Sequence, residues 1–343
     1  MVVLRRQKSE ERRKNVMKSI KLLSIIILMA GLTACEKIIP YDDIAPEPLL
    51  VVNGFQHVGQ PAYLCVEKSS FYINNETDFR VKDVHADLYV NGVFKETLQV
   101  RDSLIMETYT IWSEDPDSFP TVEKLRCAFN YCEGTYILQE GDQLRFEVSS
   151  SEFEETAIAE TTMPYAPNII SFDTLRVEGD PNDYDGKVIY FSLKIDDPAE
   201  KDYYNICPLE GLDGFVSNDP VFSDFLNISG VDDLFGENEY YGRGAYNLFD
   251  DSYFNGTQYS VGLKIHYYAF GYPEPFTAEV SRVDYGFYQY RKSLNLHQTN
   301  DEGLLGLFTE PTQVYSNVKN GVGVVCSQSL PVTFSIDLGD GER

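Results

Sequence analysis

This chain of 343 residues is short of the residues on which much enzyme chemistry depends: it has 4 His, 1 Trp and 6 Cys, and its 28 Lys and Arg face 54 Asp and Glu. So few imidazoles leave little material for general-base catalysis. His57, His85, His266 and His297 are scattered along the chain in turn and strand patterns, and none is read as catalytic. There is no G-x-S-x-G, no H-E-x-x-H, no Walker loop, and no G-x-G-x-x-G opening a helix, since Gly242-Arg243-Gly244 lacks its third glycine. The sequence therefore predicts no catalytic residue, no enzyme and no cofactor. The scarcity of basic residues excludes a phosphate-binding stripe, and with it nucleic acid as a partner. No apolar run approaches the roughly 20 residues that a membrane-spanning helix needs.

A shorter apolar run is present, from Leu22 to Leu32 behind Lys18 and Lys21, and it ends in Leu32-Thr33-Ala34-Cys35. A basic segment, an apolar segment of this length and a small-residue ending make a signal peptide. The cysteine at the cleavage point makes it a lipobox, with Cys35 as the lipidated N-terminus of the mature protein. Residues 1–34 are thus the leader, and Met17 is a better-placed start than Met1, because the mixed charge run before it is foreign to such leaders. Acyl chains on Cys35 make the membrane a partner, since each buried CH₂ contributes about 0.8 kcal/mol and more than one chain gives stable anchoring. Residues 1–35 carry 8 of the basic and 2 of the acidic residues, so the remainder holds a formal net charge of −32. That charge keeps the body off anionic headgroups and keeps its surface well solvated.

Five cysteines remain after Cys35, an odd number, so at least one thiol stays unpaired within the chain. Cys127 and Cys132 stand close enough in sequence to form a disulfide across a loop, or to be two small buried side chains. Their spacing lacks the paired C-x-x-C of a zinc site. The acidic stretch from Gly179 to Gly186 fails the EF-hand pattern, because Tyr184 holds a ligand position and no glutamate closes the loop. It reads as a solvated turn, and no metal is expected.

Residues 35–47, with Pro40 and Pro46, suit an extended lipidated tether. Beyond them short alternating runs recur, at Leu49–Asn53, Ala62–Glu67, His85–Val90, Lys95–Val100, Thr135–Leu138 and Gln143–Val148, with Asn91-Gly92 as a two-residue hairpin turn. The segment from Asp102 to Cys132 reads as a long excursion outside the core. Met163-Pro164-Tyr165-Ala166-Pro167 breaks the pattern. The expected architecture is mainly β, two β-sandwich (immunoglobulin-like) domains in tandem at 48–165 and 166–343. The second carries long aromatic and acidic loops and an amphipathic helix near 280–294, marked by Val280, Val283, Phe287, Tyr290 or Arg291, and Leu294. Aromatic residues crowd the stretch from Phe215 to Phe276. Rings give large contact area at little entropic cost, so Tyr240, Tyr241, Tyr246, Phe249, Tyr253 and Phe254 are the candidate contacts for a ligand or partner, the other reading being core.

Several segments together resemble one family. They are Glu279-Val280, Phe287-Tyr288-Gln289-Tyr290-Arg291-Lys292-Ser293-Leu294, and the run from Phe308 to Val324 with Glu310-Pro311, Tyr315-Ser316-Asn317, Gly321 and Gly323. Leu50-Val51-Val52-Asn53-Gly54, Thr161-Thr162-Met163-Pro164, Asp197-Pro198 with Asp202-Tyr203-Tyr204, and Asp250-Asp251 with Phe254-Asn255-Gly256 agree with it. The chain resembles the domain-of-unknown-function 4249 lipoproteins of Bacteroidota over nearly all of its mature length. The resemblance implies an outer-membrane lipoprotein, facing the periplasm or the cell exterior, of a kind encoded beside TonB-dependent receptors. It implies a ligand-capturing or accessory role in nutrient import, with such a receptor and a small ligand as partners. The alternative is a structural or adhesive cell-surface module.

Overall fold

The pleated alternation of the first runs becomes strand wherever one face can be buried. The computed structural model describes residues 47–70, 76–110, 121–179, 187–208, 215, 217, 219–222, 248–267, 276–301 and 313–336. Leu50–His57 (β1) and Pro61–Lys68 (β2) alternate buried and half-buried along their length. His85–Val90 (β3) and Val93–Thr97 (β4) flank the expected hairpin. Asn91 and Gly92 take φ of 54° and 79°, the positive pair that a type I′ turn requires. Gln99–Thr110 (β5) and Thr121–Ile137 (β6) follow, then Gln143–Ser149 (β7) and Ala157–Thr162 (β8). After the proline break come Ile169–Gly179 (β9), Lys187–Asp196 (β10), Tyr203–Pro208 (β11), Leu248–Asp250 (β12), Gln258–Tyr267 (β13) and Phe276–Val283 (β14). One α-helix, Tyr285–Asp301 (α1), precedes Val325–Gln328 (β15) and Val332–Ile336 (β16).

The protein is mainly β. Nine strands make one sheet in the order β12-β11-β14-β15-β1-β2-β6-β5, with β16 also on β14, while β4-β3-β7-β8 and β13-β10-β9 form two smaller sheets. Each smaller sheet covers one part of the large one. Leu64, Val66 and Cys132 of the large sheet pack against Leu88, Phe146 and Ala159 in a first core. Tyr204, Ile206 and Val280 pack against Phe191, Leu193 and Leu263 in a second.

The two sandwiches are therefore joined through a shared sheet, and residues 48–343 form a single compact unit. The chain also recrosses the expected division at 165/166. β15 returns from the C-terminal part to pair parallel with β1, Gly54 opposite Val325 and His57 opposite Gln328, and Val318 and Val325 enter the first core. Gly323 makes the approach possible. Its φ is +117°, and a Cβ there would collide with the Val52 carbonyl.

Three expectations need correction. The segment from Asp102 to Cys132 leaves the core only in part: β5 and β6 pair from Gln99–Glu133 out to Thr110–Thr121, and its inner end is buried at Ala128, Phe129 and Cys132. The helix begins at Tyr285 rather than near 280, because Val280 and Val283 are strand residues of β14 paired to β11. Asp284 then starts the helix, its carboxylate accepting the Phe287 N–H at 2.8 Å as an N-cap does. Cys127 and Cys132 lie on the same strand and form no disulfide with each other; Cys132 is a free thiol. Five residues of strand separate their Cα atoms by about 16 Å, against the roughly 4.4–6.8 Å that a disulfide spans.

Candidate functional site

The densest chemistry lies where β10 hands over to β11 and β12 to β13. Asp197 stands just after β10, and its carboxylate accepts the Tyr204 hydroxyl at 2.5 Å and the Gly256 N–H at 2.9 Å. Asp251, whose side chain is wholly buried, accepts the Asp202 N–H at 2.8 Å. Lys201 Nζ reaches Asp251 at 2.6 Å and Asp250 at 2.9 Å, and donates to the Ser252 hydroxyl at 2.7 Å. Arg282, from the neighbouring β14, sits 3.1 Å from Asp202 Oδ2, close enough for charge attraction but off line for a hydrogen bond. Its Nε is buried without a hydrogen-bond partner.

Four carboxylates thus share two cations in a place largely closed to water, and their proton affinities separate accordingly. Burial pushes Asp202 up to about 6, against the pull of Arg282. Burial also raises Asp197, opposed by its bonds from Tyr204 and Gly256. Asp250 is buried too, yet Lys201 and Ser252 hold it below the ordinary range. Lys201 is held above its ordinary value, since Asp251 and Asp250 outweigh its own desolvation. Such a network fixes the ends of two connections. Among the described residues no group of three or more His, Cys, Asp or Glu is arranged to hold a metal ion.

A second polar joint lies where β8, β15 and α1 meet. Thr161 donates to Asp284 at 2.5 Å and lies 2.9 Å from the Ser327 hydroxyl, which donates on to the Thr162 carbonyl at 2.8 Å. Asn317 clamps Val325 from both sides, accepting its N–H at 2.9 Å and donating to its carbonyl at 2.7 Å. Asn53 accepts the Val324 N–H at 3.0 Å. Burial lifts Asp284 to about 6 despite the donors around it.

The residues proposed for contact separate on this ground plan. Tyr240, Tyr241 and Tyr246 lie outside the described residues, as does Cys35. Phe249 and Phe254 are corrected to core: Phe249 is 0% exposed, stacked on Tyr204 at 5.3 Å, and Phe254 is stacked on Tyr259 at 4.8 Å. Tyr253 is 57% exposed and alone among the three described residues keeps a solvent-facing ring. Asp219 fastens β13, accepting the Tyr259 hydroxyl at 3.0 Å and the N–H of Gly262 at 3.1 Å.

Lys201, Arg282 and Asp284 were not singled out as site residues by sequence reasoning. The signal was present in the short motifs, because Asp197-Pro198, Asp202-Tyr203-Tyr204, Asp250-Asp251 and Asn255-Gly256 converge in the first joint. Thr161-Thr162, Asn53-Gly54, Asn317 and Gly321-Val322-Gly323 converge in the second. The fold and these joints define a mainly β body whose recurring motifs are fasteners. The family model of DUF4249, a domain of unknown function, matches residues 36–329, and the chain belongs to that family. No curated protein matches the chain.

Proposed function

We propose that the protein is a lipid-anchored outer-membrane component that captures a ligand for, or assists, a TonB-dependent import receptor, and that it carries out no enzymatic step. The observation that carries this reading is Leu32-Thr33-Ala34-Cys35 at the end of a signal-length apolar run. A cysteine so placed is the acceptor for acyl chains, and they hold the body at a membrane without a spanning segment. Among the described residues no helix is long and apolar enough to cross a membrane. The resemblance to lipoproteins encoded beside TonB-dependent receptors supplies the kind of partner. Labelling with an alkynyl fatty acid in the native host tests the anchor, with label expected on the wild type and lost in Cys35→Ala. Affinity purification from gently solubilised membranes tests the partner. Stoichiometric recovery of a β-barrel receptor is expected, and recovery of the lipoprotein alone overturns the transport role.

A further inference from the structure

A sheet edge presents a row of backbone N–H and C=O groups ready to pair with another strand. Strand β9 is 11 residues long, about twice the average strand. It pairs with β10, and among the described residues nothing pairs with its other edge. Ile170, Leu175 and Val177 stand on this strand 45%, 64% and 46% exposed.

The side chains of β9 are arranged symmetrically about one point. Ile189, Phe191 and Leu193 of β10 are buried in the second core, so Val177, Thr174 and Phe172, opposite them, share that side. Ser171, Asp173, Arg176 and Glu178 pair with Lys194, Ser192, Tyr190 and Val188, and lie on the other side. Leu175 is the extra residue of a bulge, where the register shifts between Tyr190 and Phe191. In a regular strand, residues an odd number of positions apart lie on opposite faces. The bulge cancels that difference across the Thr174–Leu175 step. Counting outward from the step, Asp173 and Arg176 share the outer side, Phe172 and Val177 the core side, and Ser171 and Glu178 the outer side again. An antiparallel neighbour generated by a two-fold axis through that step therefore sets each of these residues against one on its own side. It also brings Asp173 opposite Arg176 twice, and opposite charges directly across a strand pair attract. Asp173 has no ion-pair partner among the described residues. Arg176 lies 3.9 Å over the Tyr190 ring and meets Glu178 through Nε at 3.2 Å, and its two terminal nitrogens make no hydrogen bond among the described residues.

We propose that β9 is a self-pairing edge, to which β9 of a second copy of this chain adds antiparallel about a two-fold axis through the Thr174–Leu175 step. Asp173 of each copy meets Arg176 of the other, Phe172 meets Val177, and the sheets β13-β10-β9 of the two copies become one continuous sheet. Such an interface is isologous, the same patch on both partners, as a closed two-fold dimer requires. A second copy supplies a register in which sides and charges both match; an unrelated strand does not.

The test uses residues 36–343, which contain the whole compact unit 48–343. Each copy carries a formal −32, so the measurement is made at about 0.15 M salt, where a Debye length of about 8 Å screens the bodies from one another. Sedimentation velocity at about 0.1 mM chain, which populates any dimer with a Kd below that value, should give a dimer for the wild type. Asp173→Arg sets arginine against arginine, Arg176→Asp sets aspartate against aspartate, and each variant alone should run as a monomer. Their equimolar mixture restores both opposite-charge contacts and should run as a dimer, as should the double variant by itself. Both residues are exposed, and an unchanged urea midpoint verifies that each variant stays folded. A monomeric wild type overturns the proposal. So does a dimer that neither single change disrupts, or a pair of monomeric variants whose mixture stays monomeric.

Discussion

Asp284 should make the protein more stable in mild acid than at neutral pH. The carboxylate is buried between Thr161, Ser327 and the first turn of α1, and burial lifts it to about 6 from the ordinary value of 3.8. A carboxyl group whose folded value lies above its unfolded value contributes stability that is complete below the unfolded value and is lost as pH rises through the folded one. Between pH 7.5 and 5.0 the folded form takes up most of a proton that the unfolded chain does not, which is worth about 1.4 kcal/mol for this group alone. Asp202, also raised to about 6 and with its side chain 15% exposed, adds a similar amount in the same window. Asp197 and Glu67 are raised as well and act in the same direction. His57 opposes them, because burial lowers it and its neutral ring must take a proton as pH falls. Asp78 and Asp250 are held low, so their stability is lost only in stronger acid. Urea denaturation of the soluble body at the two pH values should therefore show a gain of about 1–3 kcal/mol at pH 5.0. Asp284→Asn should remove about half of it while keeping an N-cap. A wild type whose stability is flat or falling over this window, or a variant with the wild-type slope, would refute the assignment of a raised buried carboxylate.

Other outcomes follow from named contacts. Gly323→Ala should destabilise by more than about 2 kcal/mol, since a Cβ there meets the Val52 carbonyl and the backbone is left-handed; circular dichroism melts measure it. Phe249→Ala should cost about 3–5 kcal/mol as a cavity in the second core, whereas Tyr253→Ala should stay within about 0.5 kcal/mol. Equal effects of the two in urea melts would count against the burial described for Phe249. The Cys132 thiol, pushed up to about 12 by burial, should resist maleimide in the native protein and react once urea unfolds it, as read by peptide mass spectrometry.

Much of the fold was legible where one strand face is buried and the other solvated. The β3–β4 hairpin could be read from Asn91-Gly92, because only positive φ at both residues matches the strand twist there. The β5–β6 pairing could not be read, because its described outer side chains face water on both faces and a strand with two solvated faces has no alternation to detect. The helix was extended too far back because Val280 and Val283, three apart, mimic a helical stripe while pairing as strand; the stop was Asp284. The aromatic residues were misassigned in part because ring density is the same for a binding loop and a stacked core. The contact that separates them, Tyr204 on Phe249, joins residues 45 positions apart. The parallel union of β1 with β15 was the least legible feature. Gly321 and Gly323 stood out only within the run from Phe308 to Val324, and nothing in their spacing said what they approached.

The proposed lipid anchor at Cys35 and the proposed receptor partner can be tested together. The decisive measurement is purification of the tagged wild type and of Cys35→Ala from gently solubilised native membranes, with acylation and co-eluting proteins both read by mass spectrometry. The account predicts an acylated Cys35 peptide and a TonB-dependent barrel in stoichiometric amount with the wild type, and a variant that loses the acyl group and leaves the membrane fraction. An unmodified Cys35 peptide in the membrane-bound wild type, or an acylated protein recovered with no barrel, would contradict it.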